Sequence, residues 1–408
     1  MHTRLKPNNV FGILIATALM VIGLVLGFIN KQSISAEEHA SPAPIESAIA
    51  TEAAPTPEPS PPTSGPVGPT AGTPNKSQEA LAEVALIHTV IGEPAEPGVK
   101  SEFDLVHEAL DFSDAPSPAP VLVPGDDYDV FVNVTTEFLD YYFGKVGYTG
   151  AMIDSGETTA IPPLLLVSIP QGWADDVTVQ FKKSLFYRVM LSLVLFENED
   201  ILREREALQA MLADGGEDGS YPEDQMAEAV ELARRYGVAD ETQAAPLTDD
   251  QLSELLLRVD MVPPSLALAQ AAHESGYASS RFAHQGNALF GQWDWGANTI
   301  KPRQQRSGMG NYGIKAFDQP VDSVRSYLMN LNTHRAYAGF RAARAAQRGD
   351  QRGRIVMDAL ALTDTLTSYS ERGSEYTEEL KGTMRFNRLM RADSLRLMEG
   401  EPVYFHNP

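Results

Sequence analysis

The 408-residue chain contains no cysteine. Disulfide frameworks, thiolate nucleophiles and cysteine-type zinc sites are therefore excluded. An envelope protein without disulfides is ordinary, so this absence leaves the compartment open. Positive charge is also scarce: 32 Lys and Arg stand against 55 Asp and Glu, a net charge of −23. Such a chain is a poor non-specific binder of nucleic acid, and no nucleic-acid partner is expected. The deficit is uneven, because residues 301–360 hold 11 Lys and Arg against 4 Asp, a local balance of +7. That block suits either a solvated helical face or an anionic polymer. The pair His273-Glu274 lacks a second histidine four residues after the first, since position 277 is Tyr and Gly276 breaks the helix. The helix-borne two-histidine zinc motif is thus missing, and neither a metal nor a cofactor is expected. No internal repeat is present.

One long hydrophobic run stands out: Val10 to Ile29, 20 residues without a charge. As a helix it reaches about 30 Å, enough for a bilayer's hydrocarbon core. Arg4 and Lys6 precede it and Glu37 and Glu38 follow, which places the N-terminus in the cytoplasm and the bulk of the chain outside. We expect residues 1–35 to be a cytoplasmic stub and membrane anchor; a cleaved signal peptide, with Ser33 and Ser35 near the cut, is the rival. In residues 36–79, ten of 44 are proline. This composition buries no core and favours an extended polyproline linker, on the order of 130 Å long at ~3.1 Å per residue.

Residues 80–150 form an acidic region of unknown role, with helical spacing over 78–91. Residues 161–170 read as a stiff apolar connector. Val177 to Leu212 predicts a long helix, with Phe181, Leu185, Val189, Leu193 and Phe196 recurring at three to four. Further helices are predicted over 225–236, 248–259, 318–332, 354–366 and 374–390; Thr248 to Gln251 has capping-box spacing. Gly286 to Gly313 suggests loops with a small hairpin. The divisions are 151–245, a helical segment; 246–395, a compact domain; and 396–408, a tail. The chemistry concentrates between Ser265 and Trp293. Pro263 and Pro264 suit a helix start and Gly276 its end, with Leu268, Ala269 and Ala272 on one buried face. Glu274 sits in the last turn, where the helix dipole and partial burial raise a carboxyl pKa. A carboxyl that keeps its proton is what protonates a glycosidic leaving oxygen.

Several colinear motifs carry a resemblance. They are Arg258-Val-Asp-Met-Val-Pro-Pro-Ser265, Ala271-Ala-His-Glu-Ser-Gly276, Ser280-Arg-Phe-Ala283 and Gly286-Asn-Ala-Leu-Phe-Gly-Gln-Trp293. Ser326-Tyr-Leu-Met-Asn-Leu-Asn-Thr-His334 and Tyr369-Ser-Glu-Arg-Gly-Ser-Glu-Tyr376 follow, and Lys182-Lys-Ser-Leu-Phe186 through Arg205 lies upstream. Together they resemble the glucosaminidase superfamily, most of all its Bax-like branch. The resemblance implies a mainly α, lysozyme-like two-lobe catalytic domain with a minor β or irregular lobe, preceded by a helical segment, linker and transmembrane helix. It implies a peptidoglycan hydrolase cleaving the β-1,4 bond after N-acetylglucosamine, with glycan strands as partner. The membrane at residues 10–29 is the other partner, and no protein partner is indicated. The implied location is the bacterial inner membrane, single pass, with the catalytic domain in the periplasm.

The resemblance makes Glu274 the acid and places Tyr376 beside it, supporting the acetamido group or water. Tyr369 and Glu371 belong to the same motif. Phe290 and Trp293 are candidates for stacking on sugar, Asn287 and Gln292 for hydrogen bonds to it, and Gly291 for close backbone approach. Arg281 is a candidate to hold the loop through a salt bridge. Relatives often carry a further acidic residue in the β lobe, but Gly296 to Lys315 contains no Asp or Glu. Three readings remain: the substrate's N-acetyl group as nucleophile, Asp294 as base, or an inactive chain. The rival functions are a lytic transglycosylase, whose Gly-Leu-Met-Gln motif is replaced here by Phe290-Gly-Gln-Trp293, and a non-catalytic wall-binding scaffold.

Overall fold

The computed structural model describes residues 100–407 apart from 125–127, 171, 174, 176, 216–219 and 306–309. The expected anchor at 10–29, the linker at 36–79 and the helical spacing at 78–91 lie outside the described residues. Among the described residues, no helix is long and apolar enough to cross a membrane.

The chain begins with α1 (Glu102–Glu108), β1 (Val121–Pro124), β2 (Asp129–Val132), α2 (Thr136–Lys145), α3 (Gly150–Ser155), β3 (Ala160–Ile161) and β4 (Leu164–Leu166). Then come α4 (Val179–Ala213), α5 (Glu223–Arg235), α6 (Asp249–Arg258), α7 (Pro264–Ser275) and α8 (Arg281–Gly286). A small lobe holds β5 (Trp293–Asp294), β6 (Thr299–Ile300) and β7 (Gly313–Lys315). The remainder is α9 (Pro320–Thr333), α10 (Ala338–Arg348), α11 (Ala359–Thr363), α12 (Ser374–Phe386), β8 (Arg396–Leu397) and β9 (Val403–His406). Short 3-10 helices occupy Arg335–Tyr337, Asp364–Tyr369 and Leu389–Ser394. The described chain is mainly α.

The long helix α4 buries Leu185, Val189 and Leu193 and packs on α7, β4 and α9. Its apolar stripe is the one the spacing predicts. The capping box of α6 forms: Thr248 Oγ1 accepts the Gln251 amide at 3.3 Å, and Gln251 Oε1 accepts the Thr248 amide at 3.1 Å. In the β lobe, β7 pairs antiparallel with both β5 and β6.

Four segments differ from expectation. Residues 161–170 are not a connector: β4 lies in a four-stranded sheet of order β1-β2-β9-β4. The 396–408 stretch, read as a tail, supplies the inner strand β9, parallel to both β2 and β4. Parallel pairing needs a long crossover and leaves no hairpin signal in the sequence. The helix expected over 354–366 starts only at Ala359, because the Asp358 side chain accepts the Ala361 amide at 3.0 Å and caps it there. Ile355, the first residue of that apolar spacing, is buried in irregular backbone instead, as is Met357. Finally, the last helix stops at Phe386, and Arg388 in a left-handed conformation (φ 54°) separates it from the following 3-10 turn.

The region after residue 100 is built into the same core. Phe131 stacks on Phe405 of β9 at 5.6 Å, and Tyr142 meets Phe405 edge-on at 5.0 Å. His107 of α1 ties these elements together, with Nε2 2.7 Å from Asp129 and Nδ1 2.6 Å from the Tyr142 hydroxyl.

The basic block neither forms a solvated face nor offers itself to a polymer at its centre. Arg341, Arg344 and Arg348 of α10 are buried. Arg348 grips Asp260 through Nε and Nη2, both at 2.5 Å. Arg344 donates to the carbonyls of Leu257, Arg258, Asp260 and Met261 and to Asn332 Oδ1. Helix ends leave carbonyls without intrahelical partners, and here the guanidinium supplies the donors for the end of α6. Asn198 of α4 pairs with both the amide (3.0 Å) and the carbonyl (2.8 Å) of Val262. The turn that aims α7 is thus fixed from two sides. Replacing Arg348 with Met leaves Asp260 as a buried charge short of its main partner, so Arg348→Met is expected to cost about 3 kcal/mol. The exposed Arg352→Met should stay within about 0.5 kcal/mol of wild type in the same urea titration.

Candidate active site

Helix α7 begins with Pro264 in its first turn and has no cap from its own N-cap residue. Proline suits that position because the first amide has no helical partner anyway. The next donor is met from afar: Asp393 accepts the Ser265 amide at 2.8 Å and the Ser265 hydroxyl at 2.7 Å. Burial pushes the Asp393 carboxyl up to about 7 against the opposing pull of those two bonds. Alanine at 267, 269, 271 and 272 keeps the helix thin, so α4 and α12 pack directly on it. At the far end Gly276, Tyr277 and Ala278 all have φ of 60°. Left-handed backbone at two non-glycine residues in succession is strained. The turn is clamped by a hydrogen bond from Trp173 Nε1 to the Tyr277 carbonyl at 2.9 Å.

Glu274 lies in the last turn of α7 and is 9% exposed. Its Oε1 accepts a hydrogen bond from the Tyr376 hydroxyl at 2.9 Å. Burial raises its pKa from 4.5 to about 7, and the Tyr376 bond works in the opposite direction by favouring the carboxylate. Tyr376 marks Oε1 as an acceptor, so the acid proton belongs on Oε2. That oxygen faces Gly291, where an added Cβ would lie 3.5 Å away and the backbone has φ of 57°. Glycine there permits both the left-handed turn and close approach to the acid.

A hydrogen-bond chain stands behind the acid. Gln270, one helical turn before Glu274, donates from Nε2 to the Tyr376 hydroxyl at 3.1 Å and accepts at Oε1 from the Tyr327 hydroxyl at 2.6 Å. Donation runs in one direction from Tyr327 through Gln270 and Tyr376 to Glu274. Aromatic packing locks the chain: Tyr376 lies parallel to Tyr369 at 5.7 Å, and Tyr327 stacks on Phe290 at 4.0 Å. Both Tyr376 and Tyr369 are fully buried, and Tyr337 packs beside Tyr369 at 5.9 Å.

The structure brings Glu274, Tyr376 and Gly291 together and distributes the other expected residues differently. Phe290 and Tyr369 have 0% exposure, so they floor the site and offer no face to a sugar. Asn287 is left-handed (φ 49°) and its amide donates to the carbonyls of Phe317 (3.1 Å) and Asp318 (2.9 Å), which ties the lobe to α9. Gln292 is half-buried, and its carbonyl accepts the Lys315 amide at 2.8 Å. Trp293 is half-buried and stacks on Tyr312 at 4.8 Å. Glu371 is exposed in the turn before α12. Arg281 holds the lobe by donating to the Lys301 carbonyl at 2.8 Å rather than through a salt bridge. Asp294 Oδ1 accepts the amides of Trp295 (2.7 Å) and Gly296 (3.0 Å) and so shapes its own turn. Two residues absent from the expected set join Glu274 and Tyr376: Gln270 and Tyr327; Trp295, beside β5, is 61% exposed. Gln270 was legible as the position one turn before Glu274, and Tyr327 stood within the motif Ser326 to His334; that the two meet was not readable locally.

A family model described as mannosyl-glycoprotein endo-beta-N-acetylglucosaminidase, of the glucosaminidase family, matches residues 251–389. Protein bax of Escherichia coli (strain K12) is 31% identical over 202 residues, covering 49% of this chain and 67% of that relative. The chain belongs to the Bax-like branch of the glucosaminidase superfamily. The family match in this Bax-like chain runs from α6 to the 3-10 turn after α12, and so contains α7, the whole β lobe and the tyrosine cage. No solved structure matches the chain.

The raised pKa has a stability consequence. Neutral Glu274 is favoured in the fold, so its contribution is complete below the ordinary value of 4.5 and is lost as pH rises through about 7. Glu274→Gln, which stays neutral, is expected to melt above wild type at pH 8 and to converge with it at pH 4. Tyr376→Phe removes the bond that favours the carboxylate and is expected to move the Glu274 ionisation to higher pH. The carboxyl carbon shift in NMR reads this, and an unchanged or lower midpoint would refute the assignment.

Proposed function

We propose that this Bax-like chain is a peptidoglycan hydrolase that cleaves the β-1,4 bond after N-acetylglucosamine, with Glu274 as proton donor. The observation that carries the reading is the buried carboxyl with its pKa near 7, held by Tyr376 on one oxygen and facing Gly291 with the other. A carboxyl still protonated near neutral pH can donate to the leaving oxygen as the glycosidic bond breaks. The family description and the named relative supply the substrate class. Trp293 and the exposed Trp295 on the β lobe are the aromatic faces for sugar rings.

The nucleophile is assigned to the substrate. A retaining pair of carboxylates sits about 5–5.5 Å apart and shifts each partner's pKa by repulsion. The causes of the Glu274 shift are burial and the Tyr376 bond, with no charged neighbour among them. In the assisted route the acetamido oxygen attacks the anomeric carbon while the bond to the leaving sugar breaks and its oxygen takes the Glu274 proton. Water then opens the cyclic oxazolinium ion, and its proton returns to Glu274. Tyr376 is too buried to serve the acetamido group or water as its motif implied. Its role is to hold and tune the acid. Asp294 engages its own turn and is not assigned as base.

Residues 10–29 and the proline-rich linker support a bacterial inner-membrane anchor with the catalytic domain in the periplasm, where wall glycan is found. The deciding experiment is digestion of purified peptidoglycan by wild type and Glu274→Gln, with products read by mass spectrometry. Reducing N-acetylglucosamine ends from wild type, falling by about 10²–10⁴-fold in the variant, are the expected result. Anhydro ends would replace this reading with a lytic transglycosylase. Wall binding without products would replace it with a scaffold.

A further inference from the structure

A concavity of about 380 Å³ opens beside α7. Leu268 lines it, six residues before Glu274; that offset is about 9 Å along the helix axis and about 120° around it. The pocket therefore lies on a different face of α7 from Glu274. Its walls come from α3, α4 and the chain following α12, so the segment upstream of the family match completes it.

The lining combines an apolar floor with cations. Leu191, Leu268 and Leu389 form the floor, and Lys183, Arg188 and Arg388 supply positive charge against one carboxylate, Asp154. Arg188 is engaged by Asp140 at 2.5 Å, and Asp154 is engaged by Arg391 at 3.5 Å. Lys183 and Arg388 have no carboxylate within ion-pair reach among the described residues. The Lys183 ammonium lies over the Tyr277 ring at 4.8 Å, and Arg388 is held in the left-handed turn at φ 54°. Phe386, also in the lining, is 83% exposed. The Tyr187 hydroxyl in the wall is directed to that of Tyr277, and the two rings meet edge-on at 5.8 Å. Because the chain as a whole is strongly acidic, its general field repels anions. Anion binding here must come from the local pair of cations.

We propose that this pocket receives the stem peptide of the glycan substrate, with Lys183 and Arg388 taking a peptide carboxylate. The volume lies at the small end of ligand pockets, which suits a few small residues and excludes a glycan strand. The apolar floor suits methyl-sized side chains. An extended peptide advances about 3.3–3.6 Å per residue, so about four residues exceed the ~9 Å axial offset between Glu274 and Leu268. The proposal rests on peptidoglycan being the substrate. It makes the enzyme select glycan that still bears its peptides.

The test uses the full chain carrying Glu274→Gln and a synthetic alanine-rich tetrapeptide, as free acid and as C-terminal amide, in calorimetric titrations. The acid is expected to bind at least tenfold more tightly than the amide. Adding Lys183→Glu and Arg388→Glu should abolish that difference, while Lys183→Arg with Arg388→Lys should retain it; thermal melts check that each variant folds. Equal binding of acid and amide, no binding of either, or a preference untouched by the charge reversals would overturn the proposal. This readout needs no turnover, so peptide binding without wall digestion would fault the hydrolase reading, and digestion without peptide binding would fault the pocket.

Discussion

A carboxyl buried at the end of a helix with, among the described residues, one hydrogen bond and no charged partner is an expensive object, and the rest of the structure depends on holding Glu274 in that state. Burial opposes ionisation far more than the Tyr376 hydroxyl favours it. The proton is retained because water is excluded, and water is excluded because every surrounding group is packed. Tyr376, Tyr369, Tyr327 and Phe290 form two parallel stacks with no exposed face. Gln270 links the stacks through hydrogen bonds, so the hydroxyl that reaches Glu274 has a defined direction.

The position of Glu274 is set by the two ends of α7. Asp393 caps the start from the chain after α12, and the strained turn at Gly276 to Ala278 ends it. Upstream, Arg344 and Arg348 tie the end of α6 to the turn preceding α7. The basic residues concentrated between 301 and 360 are thus divided by depth. Those on the inner face of α10 are structural donors to backbone carbonyls, which lysine could not provide with the same planar fork. A linear charge count cannot see that division, because it depends on which face of α10 is covered.

The upstream segment has a structural role as well. Strand β9 at the C-terminal end is seated between β2 and β4, so the two ends of the described chain share one sheet. The pocket lined by α3, α4 and the turn after α12 exists only because that segment is closed against α7. This gives a physical reason for the resemblance to the Bax-like branch to extend upstream of the family match.

What the sequence determined by itself was local. The span of α7 followed from two prolines and a glycine, α4 from its apolar spacing, and the capping box of α6 from Thr248 and Gln251, because each is fixed by residues within a turn or two. Glu274 and Tyr376 were legible through their motifs, and the hydrophobic run at 10–29 through its length. Tertiary structure decided whatever depends on partners far along the chain. It placed Phe290 and Tyr369 in the floor rather than on a sugar, turned Asn287 to the backbone just before α9, buried Arg344 and Arg348, and made residues 403–406 an inner strand. An aromatic or an arginine has the same local spacing whether its face is covered or open, and only the element folded against it settles which.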